Sequence, residues 1–257
     1  MSKSVLDYLD RIRFRFRREI SRRMSRQLCG LSLSQPIISF TFDDFPRNAA
    51  TIGGEILSQF QVSGTYYLSL GLAGTTAPTG QMFERSDLGG LLADGHELGC
   101  HTFDHLDAWE TGPRVFAASL DRNQEELKRL FPGLIFQSMA YPVSCPNPST
   151  KLLTGKRFAV CRGGGQTFNS GVMDRNCLKA YFLEKSRQTP EVVKEMIDRA
   201  CEKNGWLILA THDVCDRPTQ FGCTPQFFKD IVSHAVNSGA ELLPVTKAWK
   251  VIQKHWL

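Results

Sequence analysis

Hydrophobic and polar positions along the chain predict strands and helices in alternation from about residue 36 to residue 245. Short runs rich in β-branched and aromatic residues predict strands, and longer stretches with apolar residues three or four apart predict helices. The predicted strands are 37–42, 64–70, 97–101, 134–141, 157–161, 178–183, 206–210 and 241–244, and the predicted helices are 49–60, 86–93, 114–131, 190–204 and 224–237. This order favours a mainly parallel sheet, open or closed into a barrel, with its site at the carboxyl ends of the strands.

The N-terminal stretch from Val5 to Met24 has the pattern of a basic amphipathic helix. Its apolar residues, which recur near a helical period, are Val5, Leu9, Ile12, Phe16 and Ile20. The arginines on the opposite side are Arg11, Arg15, Arg18 and Arg22. Such a helix either packs on its own domain or on a second subunit, or makes peripheral contact with an anionic membrane. The acidic residues among its arginines favour packing. We therefore divide the chain into a helical segment, 1–30, and a domain, 31–257.

The composition fits one large globular domain. The chain has 257 residues, of which 42% are hydrophobic and 22% charged, so it is long enough to bury a sizeable core. Residues 1–30 carry nine Lys/Arg and three Asp/Glu, a net charge of +6, whereas residues 31–257 carry 22 and 23, a net charge of −1. Because the basic charge is confined to the N-terminal segment, we expect the domain not to bind nucleic acid.

The eight cysteines include no C-x-x-C pair, which argues against zinc-ribbon and thioredoxin-like sites. Charged residues interrupt every apolar run before Cys29, so the N-terminal segment lacks the pattern of a signal peptide. No run approaches the roughly 18 apolar residues that span a bilayer. We therefore expect reduced thiols and a cytoplasmic protein.

Chemically useful side chains follow three of the predicted strands. Asp43 and Asp44 follow the first strand and, as neighbours on an extended chain, point to opposite sides, so one carboxylate is able to hold a metal while the other moves a proton. His101 and His105 follow the third strand, and their imidazoles converge if the chain turns into a helix there. His212 follows the seventh strand. Since an Asp pair alone more often caps a turn and a lone histidine is more often structural, the prediction of a site rests on the three strand ends together.

Four short motifs, taken in order, resemble those of the polysaccharide deacetylases with a NodB-like domain. They are Thr41-Phe42-Asp43-Asp44, His101-Thr102-Phe103-Asp104-His105, Ala140-Tyr141-Pro142, and Leu207-Ile208-Leu209 followed by His212. Each motif is weak alone, but four in order are specific, and they cover about residues 36–245. The resemblance implies a distorted (β/α) barrel of about seven strands. It also implies a metal-dependent hydrolase that removes an N-acetyl or related acyl group from a carbohydrate.

Carried over by position, the resemblance makes Asp44, His101 and His105 the metal ligands. Two imidazoles and one carboxylate suit Zn²⁺ best among the divalent metals, and three protein ligands leave an open position for reactants. The resemblance further makes Asp43 the general base that takes a proton from the attacking water. His212 becomes the general acid that protonates the leaving nitrogen.

The third motif supplies further candidates. The backbone N–H of Val143 is the expected donor to the oxyanion, and Tyr141 and Pro142 are expected to border the substrate. Many members of the family carry an arginine two residues before this proline, aimed at the base, where the present chain has Ala140. Arg162, after the fifth predicted strand, is our candidate for the missing cation, and the alternative is a surface arginine in a glycine loop.

The absence of a signal-peptide pattern favours a soluble or membrane-bound sugar precursor, such as a lipid-linked sugar, over a cell-wall polymer as the substrate. Two alternatives use the same fold. One is a carbohydrate-binding protein without activity, suggested by the altered third motif, and the other is a hydrolase of another C–N bond, as in formyl groups and cyclic ureides. Trp206 is a candidate to border a sugar site, although a position in the core is the better interpretation.

Overall fold

The structure of the protein is a computed structural model that describes residues 3–143 and 145–254, without the side chains of residues 3–11. The strands are β1 (Leu28–Leu31), β2 (Ile37–Phe42), β3 (Thr65–Leu68), β4 (Thr76–Ala77), β5 (Gly80–Gln81), β6 (Glu97–Cys100), β7 (Ser138–Ala140), β8 (Val160–Arg162), β9 (Gly171–Asp174), β10 (Tyr181–Phe182), β11 (Trp206–Thr211) and β12 (Glu241–Leu242). The α-helices are α1 (Lys3–Arg23), α2 (Glu55–Gln59), α3 (Asp87–Ala93), α4 (Pro113–Leu130), α5 (Pro148–Arg157), α6 (Pro190–Glu202), α7 (Pro225–Asn237) and α8 (Val245–Lys254).

One curled, half-barrel sheet organises the domain. Its strands pair in parallel in the order β10, β11, β2, β3, β6, β7 and β8, and β12 pairs with the start of β2. This sheet confirms the predicted distorted (β/α) barrel of about seven strands. Two antiparallel pairs, β1 with β9 and β4 with β5, lie outside it.

Strands β2 and β11 lie next to each other in the sheet and are buried along their whole length. Alternate residues of β2 enter two different cores. Phe40 and Phe42 pack with Phe228 of α7, whereas Ile37 belongs to the core that Trp249 of α8 completes. Since both faces of these strands are covered, they read in the sequence as nearly continuous apolar runs, which is typical of buried parallel strands.

Helix α1 is fixed to the domain near its C-terminal end. The ammonium group of Lys151, which is completely buried, lies 2.5 Å from a carboxylate oxygen of Asp174. It also donates hydrogen bonds to the carbonyl oxygens of Ser21, at 2.5 Å, and Met24, at 3.0 Å. A buried ammonium group needs all of these partners, because an unsatisfied charge away from water is costly.

Replacement of Lys151 by methionine is expected to lower the free energy of unfolding by about 3 to 5 kcal/mol, since it leaves Asp174 without its cation in a largely buried place. Lys156 on the same helix is exposed, so Lys156→Met is the matched control and should leave stability near that of the wild type. Urea unfolding of the three proteins measures the difference. Equal stability of the two variants would show that the buried pair does not hold α1 to the domain.

The apolar stripe predicted for α1 does not pack against the domain. Ile12 and Phe16, whose side chains are described, are both exposed, and Ile20 is half-buried. The interpretation in which this stripe is covered by its own domain is therefore wrong for Ile12 and Phe16. Val5, Leu9 and Arg11, which the sequence places on the same helix, lie outside the described side chains. Among the described residues, no helix combines the length and apolar character needed to cross a membrane.

Candidate active site

The predicted site residues lie at one edge of the sheet, where the carboxyl ends of four strands meet. Asp43 and Asp44 follow β2, His101 follows β6, Arg162 ends β8, and His212 follows β11. Strand β2 pairs with β11 in parallel register, and the N–H of Asp43 donates to the carbonyl of Thr211 at 2.9 Å. The pairing of these two strands therefore fixes the backbone of Asp43 beside that of His212.

Asp44, His101 and His105 form a cluster with the character of a metal site. One ligand atom from each residue lies within 4.8 Å of the other two. Nε2 of His105 and Nε2 of His101 lie 2.8 Å and 3.4 Å from Oδ1 of Asp44. That oxygen is buried, yet among the described residues it has no hydrogen bond of good geometry. Two imidazole nitrogens around an orphaned buried carboxylate oxygen are a donor set that fits a divalent metal.

The surroundings of the cluster orient its ligands. Nδ1 of His101 lies 2.8 Å from the carbonyl oxygen of Ala140. When Nδ1 carries the proton for this contact, Nε2 keeps its lone pair for a metal. The hydroxyl of Thr79 donates to Oδ2 of Asp44 at 3.2 Å. Burial acts to raise the pKa of Asp44, but interaction with His101 and His105 outweighs it and holds that pKa well below its usual range.

His101 and His105 converge without a helix between them, so the helical turn that the sequence offered as one way to bring their imidazoles together is not the one the chain uses. The loop after β6 instead turns through residues with left-handed backbone, Thr102 (φ 60°) and His105 (φ 53°). Asp44 (φ 59°) and Phe45 (φ 65°) do the same after β2. Non-glycine residues adopt this conformation at an energetic cost and keep it only where the surrounding structure holds them. The ligand geometry is therefore built by strained turns.

Arg162 binds the carboxylate of Asp43. Its Nη2 lies 2.5 Å from both carboxylate oxygens, and its Nη1 donates to the carbonyl of Gly163 at 2.9 Å. The guanidinium lies between two aromatic rings, 5.2 Å from the centre of Tyr67 and 5.3 Å from that of Phe182. Arg162 is only 1% exposed, so the alternative of a surface arginine is wrong. The cation that the third motif lacks thus comes from the end of β8.

His212 is held by the loop that follows it. Its Nδ1 lies 3.2 Å from the carbonyl oxygen of Phe221, and its ring stacks near Phe182 with the ring centres 6.3 Å apart. The buried carboxylate of Asp213 orders this loop, because it accepts hydrogen bonds from the backbone N–H and the hydroxyl of Thr219 at 2.8 Å and 2.6 Å. With Nδ1 directed to a carbonyl, Nε2 is the nitrogen left to exchange a proton.

Two predicted substrate contacts do not agree with the structure. The hydroxyl of Tyr141 is buried and bonded to the hydroxyl of Thr154 at 2.6 Å and to the carbonyl of Asn176 at 2.8 Å, so the phenol is held inside the fold. Trp206 is completely buried and donates to the hydroxyl of Ser39 at 3.0 Å. A substrate cannot reach either side chain, and the core position that we favoured for Trp206 is confirmed.

The remaining residues of the third motif lie in the loop after β7. Pro142 is buried, whereas Val143 is exposed and has left-handed backbone (φ 61°). This conformation turns the chain immediately after the proline. The roles of Pro142 at the substrate and of the Val143 N–H at the oxyanion stay predictions.

Sequence reasoning missed Glu184 and Phe182. Glu184 lies in the 3₁₀ turn after β10, and burial raises the pKa of its carboxyl above its usual range. Phe182 ends β10 and contacts both Arg162 and His212. The sequence did contain a signal for these two residues. Both lie at the end of the predicted strand 178–183, and the other site residues also lie at the ends of predicted strands.

Comparison with a family model now bears on the identity of this site. Residues 31–156, which contain the three-ligand cluster and Asp43, match the family model described as polysaccharide deacetylase. These residues belong to the polysaccharide deacetylase family. No curated protein sequence matches the chain.

Solved structures share the fold of this polysaccharide deacetylase domain. The chitin deacetylase from Colletotrichum lindemuthianum has a TM-score of 0.57 at 18% identity, covering 85% of this chain and 89% of its own. A family 4 acetyl xylan esterase from Clostridium thermocellum, in complex with a cobalt ion, has a TM-score of 0.57 at 18% identity, covering 84% and 91%. A variant of the peptidoglycan deacetylase PdaC from Bacillus subtilis has a TM-score of 0.56 at 17% identity, covering 86% and 93%.

Proposed function

We propose that the protein is a metal-dependent hydrolase that removes an N-acetyl group from a carbohydrate. The observation that carries this proposal is the cluster of Asp44, His101 and His105 beside Asp43, whose strand pairs with the one that ends at His212. The family supports it, since two of the similar structures are named as deacetylases of chitin and of peptidoglycan. The cobalt ion in the similar esterase supports a divalent metal. From the donor set we propose Zn²⁺.

A divalent ion held by Asp44, His101 and His105 would supply Lewis acidity, which polarises an acyl carbonyl and makes water easier to deprotonate. Asp43, whose carboxylate is held by Arg162, is the base that takes the proton from the attacking water. His212 gives a proton to the leaving nitrogen, because an amine is a poor leaving group until it is protonated.

The position of Arg162 also bears on the alternative of a carbohydrate-binding protein without activity. That alternative rested on the altered third motif, in which Ala140 stands where an orienting arginine is expected. Arg162 reaches the same carboxylate from another strand and is buried against it. This contact supports an active enzyme over that alternative.

The test is acetate release by purified protein from N-acetylglucosamine oligomers and from a lipid-linked N-acetylated sugar, with metal content measured in parallel. We expect roughly one Zn²⁺ per chain and acetate release that stops with a chelator and returns with metal. Sugar binding without acetate release at full metal content would contradict the proposal. Release of formate from formylated sugars, in place of acetate, would assign the site to another C–N bond.

Replacing His212 by alanine is expected to slow hydrolysis of an N-acetylated sugar by about 10² to 10⁴-fold. An aryl acetate has a leaving group that needs no proton, so its hydrolysis should fall far less. The ratio of the two rates, measured on variant and wild type, isolates the proton transfer from any general damage. Equal losses on both substrates at unchanged metal content would show that His212 has only a structural role.

A further inference from the structure

Helix α1 presents exposed apolar side chains next to exposed arginines. Ile12 is 45% exposed and Phe16 is 64% exposed, and their spacing of four residues places them on one face. Arg13, Arg15 and Arg18 are exposed as well. An aromatic and a branched aliphatic side chain left together in water on one helix face indicate a surface that something else covers.

The stripe formed by Ile12 and Phe16 is turned away from the domain. The helix contacts the domain through Arg17, which pairs with Glu110 and lies 5.4 Å above the ring of Trp109, and through Ser21, which is buried. At 3.6 residues per turn, the face of Arg17 and Ser21 lies roughly 140° from the stripe. The contacts that hold α1 in place therefore leave its apolar stripe free.

The same contacts join α1 to one loop of the candidate active site. Trp109 and Glu110 belong to the loop after β6 that also carries His101 and His105. This loop lies on the Arg17 and Ser21 side of α1, so a surface that covers the stripe would lie across the helix from it.

The charge of the helix indicates what covers it. Residues 12–23 contain six arginines and one acidic residue, Glu19. Two copies of such a helix would repel one another, whereas anionic lipid attracts the arginines and accepts the apolar stripe. We propose that α1 docks the protein on an anionic lipid surface, with Ile12 and Phe16 inserted between headgroups and the arginines at the lipid phosphates.

Docking through α1 holds the whole domain, and with it the candidate active site, close to the lipid surface. If the proposed deacetylation holds, the substrate is then an N-acetylated sugar carried on a lipid, presented to the site from the membrane. The docking itself does not depend on the reaction. A binding experiment therefore separates the failure of this proposal from the failure of the proposed function.

Co-sedimentation of the full-length protein with vesicles tests the docking. Vesicles of phosphatidylcholine alone are compared with vesicles that contain about a third phosphatidylglycerol, at low and high salt. We expect binding to the anionic vesicles only. We also expect it to weaken with salt, because the Debye length falls from about 10 Å at 0.1 M to about 3 Å at 1 M.

The variant Phe16→Glu should lower the partition coefficient on anionic vesicles by about tenfold or more, since it removes the largest exposed apolar side chain of the stripe. Ile135→Glu is the matched control. Ile135 is 53% exposed but precedes β7, at the amino ends of the strands, away from α1 and the site loops, so this variant should bind as the wild type does.

Four results would overturn the proposal. The first is wild-type protein that stays in the supernatant with both kinds of vesicle at low salt. The second is equal binding by Phe16→Glu and Ile135→Glu. The third is a change from dimer to monomer in Phe16→Glu on analytical ultracentrifugation without lipid, which would assign the stripe to a second copy of the chain. A lowered melting temperature of Phe16→Glu relative to Ile135→Glu would instead assign it to packing on the fold, and would also count against the docking.

Discussion

Asp43→Asn is expected to lower the rate of acetate release by at least about 100-fold while the metal content stays at the wild-type level. A general base contributes about 10² to 10⁴-fold, and an amide side chain is unable to accept the proton. The carboxylate of Asp43 is not one of the three proposed metal ligands. Both of its oxygens accept from Arg162 instead. Kinetics on an N-acetylated sugar, together with metal analysis of the same sample, measure both quantities.

The buried pair adds a second effect that has to be separated from the first. Asp43→Asn leaves the guanidinium of Arg162 buried without its anion, which costs about 3 to 5 kcal/mol in similar cases. The double variant Asp43→Asn with Arg162→Met removes both charges, so it should regain much of the lost stability. It should not regain activity. Recovery of activity in the double variant would show that Asp43 acts through folding and not as a base.

Asp104 offers a matched control for this experiment. It lies between the two histidines in the sequence, but its carboxylate bonds to the hydroxyl of Ser119 at 2.8 Å and to Arg122 at 3.1 Å, outside the site. Asp104→Asn removes a charge from the same motif and should leave the rate near the wild-type value. If Asp104→Asn lost as much activity as Asp43→Asn, the net charge near the site, and not the Asp43 carboxylate itself, would control the rate.

The sequence was sufficient to predict the sheet and the strand ends that carry the site. Buried parallel strands read as apolar runs, and their carboxyl ends must meet at one edge, so Asp43, His101 and His212 were predictable as neighbours. The pairing of Arg162 with Asp43 was a proposal that only a three-dimensional structure could test, since the two residues are 119 positions apart. The structure brings them together where Arg162, at the end of β8, meets Asp43, which follows β2.

The sequence prediction missed two helices and the turns at the site for identifiable reasons. Helix α5 was not predicted, and only its last residue, Arg157, fell in a predicted strand, although Asn147 caps the helix by accepting from the N–H of Thr150 at 2.9 Å and Pro148 occupies its first turn. Its polar and glycine residues hide any apolar period. Helix α8 has a clear apolar period, in which Val245, Ala248, Trp249 and Ile252 are buried, and was overlooked because it follows the last predicted strand. The left-handed turns at Asp44 and His105 have no sequence signal, since neither is glycine.

Removal of one imidazole from the three-ligand cluster is expected to have the largest effect of all. In His105→Ala, Asp44 and His101 remain, and two protein ligands hold a divalent ion far more weakly than three. The purified variant should contain almost no metal, and its acetate release should fall below detection. Elemental analysis and the rise in melting temperature on adding Zn²⁺ measure metal binding independently of activity.

His234 supplies the control, because its Nε2 lies 2.7 Å from Asp198 on the surface formed by α6 and α7, far from the cluster. His234→Ala should keep both its metal and its rate. The stabilisation that Zn²⁺ gives to the wild type should also be present in Asp43→Asn and absent from His105→Ala, which separates the ligand from the base. Full metal content in His105→Ala would mean that the ion is held elsewhere, and the assignment of Asp44, His101 and His105 as the metal site would then be wrong.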